Sequence, residues 1–214
     1  MFIPVFRTNQ PIVLASGSPR RREFLGGLGL DFTVARPKLP EPDPGRGEAP
    51  GDFALRVAKA KAAEIAPLYP GAAVIAADTV VALERQILGK PVDENQALCM
   101  LQTLCGREHV VYSACCVRLP DGQEEFFCPA SRVHMRDWPL EALRAYAGCG
   151  ESADKAGAYA VQGQGAFLID RVDGSWTNIV GLPLAEVVDA LLRHKIISPV
   201  CCSVNSSDSE TDFS

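Results

Sequence analysis

Apolar positions along the chain change period several times, and each change marks an expected element. Ile12 to Ala15 is a short apolar run ending in Ser16-Gly17-Ser18-Pro19, after which Phe24, Leu25 and Leu28 recur at helical spacing. That order predicts strand, tight turn and helix, with Ser18 as N-cap, Pro19 at the first helical position and Gly29 at the end. Phe32 to Ala35 begins a second strand. Prolines and glycines dominate 37–51, which predicts a loop carrying the acids Glu41, Asp43 and Glu48. Asp52 is the expected cap of the next helix, with Leu55, Ala58, Ala62 and Ile65 as its inward stripe.

Ala72 to Leu83 is nearly continuous in apolar and β-branched residues, the pattern of a central strand covered on both faces, and only Asp78 and Thr79 interrupt it. Asp93 caps a further helix with Ala97, Met100, Leu101 and Leu104 inward, closed by Gly106. Val110 to Leu119 and Glu124 to Met135 read as a strand pair joined at Pro120-Asp121-Gly122. Pro139 opens a helix to about Ala147. Ala158 to Val161 and Ala166 to Val172 are strand candidates within a glycine-rich stretch, and Leu182 to Arg193 is the last periodic helix, with Pro183 in its first turn.

Composition narrows the class. At 214 residues and 47% hydrophobic content the chain can bury a large core without staples. The expected organisation is one catalytic domain of two packed lobes over 1–199, followed by a disordered acidic tail over 200–214. The formal charge is −5, of which −3 lies at Asp208, Glu210 and Asp212, a balance that argues against a nucleic-acid polymer as partner. No apolar run approaches a membrane span and the N-terminus lacks a signal-peptide core, so a cytoplasmic location is expected. The eight cysteines, several in apolar runs (Cys99, Cys115, Cys116), read as reduced core thiols.

Three features carry chemistry. Ser16-Gly17-Ser18-Pro19-Arg20-Arg21-Arg22 brings amides, hydroxyls and guanidiniums to a helix N-terminus. Cations there oppose the helix dipole, so an anion site explains them better than a purely structural cap with solvated arginines does. Asp78 is a carboxylate within a buried strand, too costly to leave unpaired; it is a general base, a metal ligand or half of an ion pair. Lys90, shortly after it, could hold a phosphate or stand in solvent. Lys59 and Lys61 lie about 200° apart on their helix, so at most one reaches a shared cleft. Asp154-Lys155-Ala156-Gly157-Ala158-Tyr159, followed by Gln162-Gly163, combines close-approach glycines with an amide suited to a base edge. A P-loop fails at Pro91 after Gly89-Lys90, the third glycine of a dinucleotide fingerprint is missing after Gly163-Gln164-Gly165, and there is no hydrolase nucleophile elbow.

Together these motifs resemble the Maf family of nucleoside triphosphate pyrophosphatases, from Ile12 to Arg193. The matching residues are Ala15 to Arg21, Ala77 to Val81, Lys90-Pro91, Gly106 to His109, Asp154 to Tyr159 and Gly181 to Pro183. The resemblance implies an α/β fold with an elongated mixed sheet, flanking helices and two lobes around a cleft, similar to inosine triphosphate pyrophosphatases and often dimeric. It also implies hydrolysis of the α–β phosphate bond with a divalent cation, expected to be magnesium. Asp78 resembles the family's general base. Arg20, Thr79 and Gln162 resemble its specificity positions. Ser16, Ser18, Arg21, Lys61, Lys90 and Lys155 resemble its substrate- and polyphosphate-binding groups, and Glu41 with Asp78 its metal site. Ser113 stands where the family usually has Thr. The Ala77-Asp78-Thr79 form resembles the subgroup acting on dTTP and UTP, with 7-methyl-GTP or other modified nucleotides, or a nucleotide-binding role in inhibiting septum formation, as the alternatives.

Overall fold

The protein is described by a computed structural model covering residues 3–40 and 42–200. Glu41 and 201–214, which hold one expected metal ligand and most of the expected tail, lie outside the described residues. The elements run β1 (Phe6–Thr8), β2 (Ile12–Ala15), α1 (Pro19–Gly27), β3 (Thr33–Val34), α2 (Pro50–Ile65), β4 (Ala73–Leu83), β5 (Gln86–Leu88) and α3 (Glu94–Leu104). They continue with β6 (Glu108–Arg118), β7 (Glu124–Phe127), β8 (Ala130–Met135), α4 (Leu140–Ala147), β9 (Ile169–Asp173), α5 (Trp176–Val180), α6 (Leu184–Arg193) and β10 (Ile197–Pro199). No helix among the described residues is long and apolar enough to cross a membrane.

The main sheet has the order β3-β2-β4-β6-β8-β9, with β5 also on β4 and β7 also on β6. It is mixed: β3, β2 and β4 run parallel, and the other pairings are antiparallel. β4 and β6 form its axis, in register from Val74 opposite Arg118 to Ala82 opposite Val110. Alternation along β4 assigns its two faces. Val74, Ala76 and Val80 pack with Val57, Ala58 and Ala62 of α2. Ile75 and Ala77 face Leu25, Val187 and Leu191 of α1 and α6. Val81 and Leu83, further along that second face, meet Leu101, Leu104, Leu143 and Tyr146 of α3 and α4. Thr79 and its cross-strand partner Ser113 interrupt this face between the two apolar clusters.

Neighbouring strands leave part of β4's edge uncovered. β2 covers it from Ala73 to Ala76 and β5 from Val81 to Leu83, so neither pairs with Ala77 to Val80. That gap lies just beyond the carboxyl end of β2, where crevices of parallel sheets commonly take ligands.

Several expectations are corrected. Ala49, not Asp52, occupies the N-cap of α2, because Pro50 suits the first helical position; Asp52 lies in the first turn. The stripe of α2 is rotated from the expected one, with Phe53, Ala54, Val57, Ala58, Ala62 and Ile65 buried and Leu55 only partly so. Glu124 to Met135 is two strands, since Pro129 has no N–H to give the ladder. Ala158 to Val161 forms no strand: Gly157 and Ala158 both have left-handed backbone, at φ 69° and 59°. In the second candidate, Gly163–Leu168 is 3₁₀ and only Ile169–Asp173 is strand. Pro183 is the N-cap of α6, outside its first turn. Cys115 and Cys116 are buried as expected, but Cys99 is exposed. The sequence pattern carries no signal for the short β1–β10 pair, and Val200, the first residue of the expected tail, donates its N–H to the Val5 carbonyl.

Candidate active site

A cleft of about 900 Å³ opens at the uncovered β4 edge. It is lined by Ser16, Ser18, Arg20, Arg21, Lys61, Asp78, Thr79, Lys90, Lys155 and Gln162, so every expected site residue among the described ones converges on it. The volume lies within the usual range for a small-molecule site.

Its floor is a buried ion pair. Asp78 is 8% exposed, and Lys61 Nζ lies 2.7 Å from its Oδ1. Alternation turns Asp78 toward α2, and the helical register of Lys61, four residues after the buried Val57, brings the ammonium to meet it. Lys59 points elsewhere, with its Nζ 3.5 Å from the Phe126 ring centroid, in keeping with the separation of the two lysines on the helix.

The Ser16–Arg21 turn forms one wall. Ser18 takes the N-cap position of α1 but its hydroxyl makes no capping bond; its N–H donates instead to Ser16 Oγ at 3.2 Å. The first-turn amides of any helix lack intrahelical acceptors, so this end offers donors to an anion. Arg21 reaches back into the sheet. Its Nη1 donates to Ala77 O at 2.9 Å and Ser16 Oγ at 3.1 Å, Nε to Gly181 O at 2.7 Å, and Nη2 to Thr79 Oγ1 at 3.1 Å. The Ala77 carbonyl used here belongs to the uncovered stretch of β4.

The opposite wall comes from 154–162. Asp154 accepts from Arg20 at 3.4 Å and from Lys155, so one carboxylate ties both cations to the rim. Burial pulls its pKa up, but the hydrogen bond and charge of Lys155, with Arg20 behind them, hold it below the usual value. Gly157 donates its N–H to the Gly89 carbonyl, next to Lys90, and passes so close to β4 that a Cβ there would lie 3.0 Å from a Val81 methyl. Glycine thus sets the spacing between the Lys90 and Lys155 segments. Tyr159 lines the cleft and bonds His109 Nε2 at 2.7 Å behind it. Burial pushes the His109 pKa down to about 4, so the imidazole is neutral at pH 7.

Gln162 sits at the start of the 3₁₀ segment Gly163–Leu168 and makes no capping bond to it. Glu151 does that work. Its carboxylate accepts from the N–H groups of Gln164 and Gly165 at 3.1 and 2.8 Å and from the Tyr146 hydroxyl at 3.0 Å. Tyr146 Oη in turn accepts from the Ala160 N–H at 3.1 Å. Burial raises the Glu151 pKa, but these hydrogen bonds outweigh it and leave the group below its ordinary value.

Sequence reading missed three contributors. Arg36 lines the cleft against Gly17, a cation following β3 whose position a strand-end signal could have suggested. Glu151 has no sequence signature. Asn178, fully buried, is betrayed only by being a polar residue beside Ile179 and Val180.

A profile of Maf-like proteins matches residues 11–194. The chain is 53% identical over 192 residues to the dTTP/UTP pyrophosphatase of Nitratidesulfovibrio vulgaris, covering 90% of this chain and 91% of that one. Against the dTTP/UTP pyrophosphatase of Oleidesulfovibrio alaskensis it is 48% identical over 196 residues, covering 91% and 90%. With that of Lawsonia intracellularis the figures are 41% over 219 residues, 98% and 94%. With the motifs gathered around one cleft and the match running through nearly all the described residues, the chain belongs to the Maf family.

Proposed function

We propose that the protein is a nucleoside triphosphate pyrophosphatase that hydrolyses the α–β phosphate bond of dTTP and UTP, releasing the nucleoside monophosphate and pyrophosphate. The observation that carries this reading is the convergence of Arg20, Arg21, Arg36, Lys61, Lys90 and Lys155 on a cleft whose floor holds the buried carboxylate of Asp78. Such an arrangement fits a polyanion with a bond to be attacked by water. The names of the similar proteins supply the pyrimidine preference.

In this reading Asp78 accepts a proton from the attacking water, and Lys61, 2.7 Å from its Oδ1, holds the carboxylate in place at the cleft floor. The helix N-terminus at Ser18, with Arg20, Arg21, Lys90 and Lys155, holds the phosphates and spreads the developing charge. Gln162 presents an amide able to pair with the adjacent O4 acceptor and N3–H donor of thymine or uracil. Cytosine presents the reverse pattern, which the amide meets only by flipping, so discrimination against CTP is modest while purines are rejected by size and unpaired polar groups.

A divalent ion suits the donors. Among the described residues no three His, Cys, Asp or Glu gather into a protein-only cage. Magnesium is commonly held by one or two carboxylates with phosphate oxygens and water completing its shell, and Asp78 is the described carboxylate that would hold it. When bound, the ion neutralises charge on the leaving pyrophosphate. The proposed assembly is one catalytic domain acting as a monomer or homodimer on a free nucleotide.

The test is turnover of dTTP, UTP, CTP, dATP, dGTP and 7-methyl-GTP with magnesium, with products identified. dTMP plus pyrophosphate from dTTP, with dTTP and UTP ahead of the purines, is expected. Highest kcat/KM on 7-methyl-GTP, or release of orthophosphate and dTDP, overturns the reading.

A further inference from the structure

We infer that Ser113 and Asn178, neither of which touches the cleft, are positioning residues that set the direction of a hydrogen-bond chain holding Arg21 toward the phosphates. The inference rests on the pyrophosphatase reading above.

The chain begins where the sheet is broken. Pro129 splits β7 from β8, so β6 lacks a strand partner on that side between Tyr112, paired with Ala130, and Cys115, paired with Phe127. Asn178 of α5 fills the break. Its Oδ1 accepts from the Ser113 N–H at 3.1 Å, and its Nδ2 donates to Val111 O at 3.1 Å and Ser131 Oγ at 2.9 Å. Asn178 is completely buried, and its amide bonds place the α5 backbone against Ser113.

That placement fixes proton directions. Ser113 Oγ donates its only hydrogen to the Asn178 carbonyl at 2.6 Å. The 2.7 Å contact between Thr79 Oγ1 and Ser113 Oγ must then be a donation from threonine. With its hydrogen committed, Thr79 Oγ1 offers a lone pair to Arg21 Nη2 at 3.1 Å. Without Ser113, the threonine hydrogen would turn to the Gly181 carbonyl 3.4 Å away, which already accepts from Arg21 Nε at 2.7 Å. Threonine and arginine would then share that carbonyl, and the hydroxyl would rotate away from the direction that aims its lone pair at Arg21 Nη2. Order along such a chain strengthens each bond. It also has a reason to exist: Arg21 stands at a helix N-terminus, where the dipole repels a cation, so its orientation has to come from the fold.

The sharpest test is Ser113→Ala with Ser113→Thr, assayed on dTTP, UTP and CTP. Loss of one relay bond on a charged group corresponds to about a tenfold fall in kcat/KM. Because Arg21 serves phosphates common to all nucleotides, the fall should be the same factor for all three, Ser113→Thr should restore most of it, and Ser113→Ala should cost nothing further in a Thr79→Val background. If Ser113→Ala does not fold, Ser113→Cys, a weak donor and acceptor, is read by the same criteria. Unchanged kcat/KM overturns the inference. So does a changed dTTP to CTP ratio, which would mean action on the base, or an undiminished loss in the Thr79→Val background, which would mean action by another route. A wild-type protein inactive on all three nucleotides overturns the functional reading and this inference together; an active wild type with an unaffected Ser113→Ala overturns this inference alone.

Discussion

The two ends of the cleft are built differently. At the Ser16–Arg21 end the charged groups are pinned by regular structure: Lys61 on α2 meets Asp78 on β4, and Arg21 is tied to two backbone carbonyls and two hydroxyls. At the Gln162 end there is neither strand nor α-helix; Glu151 holds the 3₁₀ segment from behind and Tyr146 holds Ala160 just before it. The difference follows from what each end must do. Charges near a buried carboxylate are costly when misplaced by an ångström, so a sheet holds them. A base-reading amide needs its donor and acceptor left for the ligand, so the fold secures its backbone and leaves its side chain uncapped.

The largest break in that comparison is Asp78→Asn, which preserves shape at the pinned end and removes the proton acceptor. Turnover should fall by at least about a hundredfold with nucleotide binding retained, as read by single-turnover kinetics and calorimetry. Retention of most of the rate would end the assignment.

At the other end, Glu151→Gln should lower kcat/KM for dTTP by about tenfold, the cost of weakening charged hydrogen bonds to two amides. Unlike a lesion at the pinned end, it should also alter the ratio of dTTP to CTP. The same carboxylate supplies a pH test. Its folded pKa lies below the unfolded value, so its stabilisation is present above the unfolded carboxylate pKa and is lost as pH falls through the folded one. Hydrogen exchange at Gln164 and Gly165, corrected for intrinsic rates, should therefore lose protection on acidification below the ordinary carboxylate range in the wild type but show no such step in Glu151→Gln. Identical profiles would exclude Glu151 as the brace.

Arg20→Ala is expected to raise KM by roughly three- to tenfold, equally for all triphosphates, since Arg20 gives up only a long, solvent-facing contact to Asp154 when substrate arrives. A selective effect on one base would instead favour the specificity role that the family resemblance implies for Arg20. The smallest effect belongs to Lys59→Ala. Turnover should be unchanged and the Tm lower by about 1–4 °C, the worth of a partly buried cation–π contact. Impaired turnover would show that the division between Lys59 and Lys61 is wrong.

Much of the fold was legible because local rules and tertiary packing agree. The 72–83 strand, the Asp93-capped α3, whose cap accepts from Gln96 N at 2.7 Å, and the turn into α1 at Pro19 all stand within a residue or two of expectation. Where reading failed, a non-local or backbone effect outweighed pattern. Ala158 to Val161 has strand composition, but consecutive left-handed residues at Gly157 and Ala158 turn the chain beneath the cleft. The apolar stretch from Glu124 to Met135 hid a break that one proline creates and a distant asparagine fills.

The sequence by itself determined the chemical inventory: a carboxylate in a buried strand, cations at a helix start, and an amide among glycines, each anomalous enough against its own local pattern to be noticed. Tertiary structure alone decided that β2 and β5 leave Ala77 to Val80 uncovered, that Lys61 rather than Lys59 meets Asp78, and that Glu151, Tyr146, Ser113 and Asn178 stand behind the residues facing the cleft. The reason is physical. A buried charge violates a rule that can be checked within a few residues, whereas a hydrogen bond between residues 34 or 65 positions apart becomes visible only when the chain has folded and brought its donors and acceptors together.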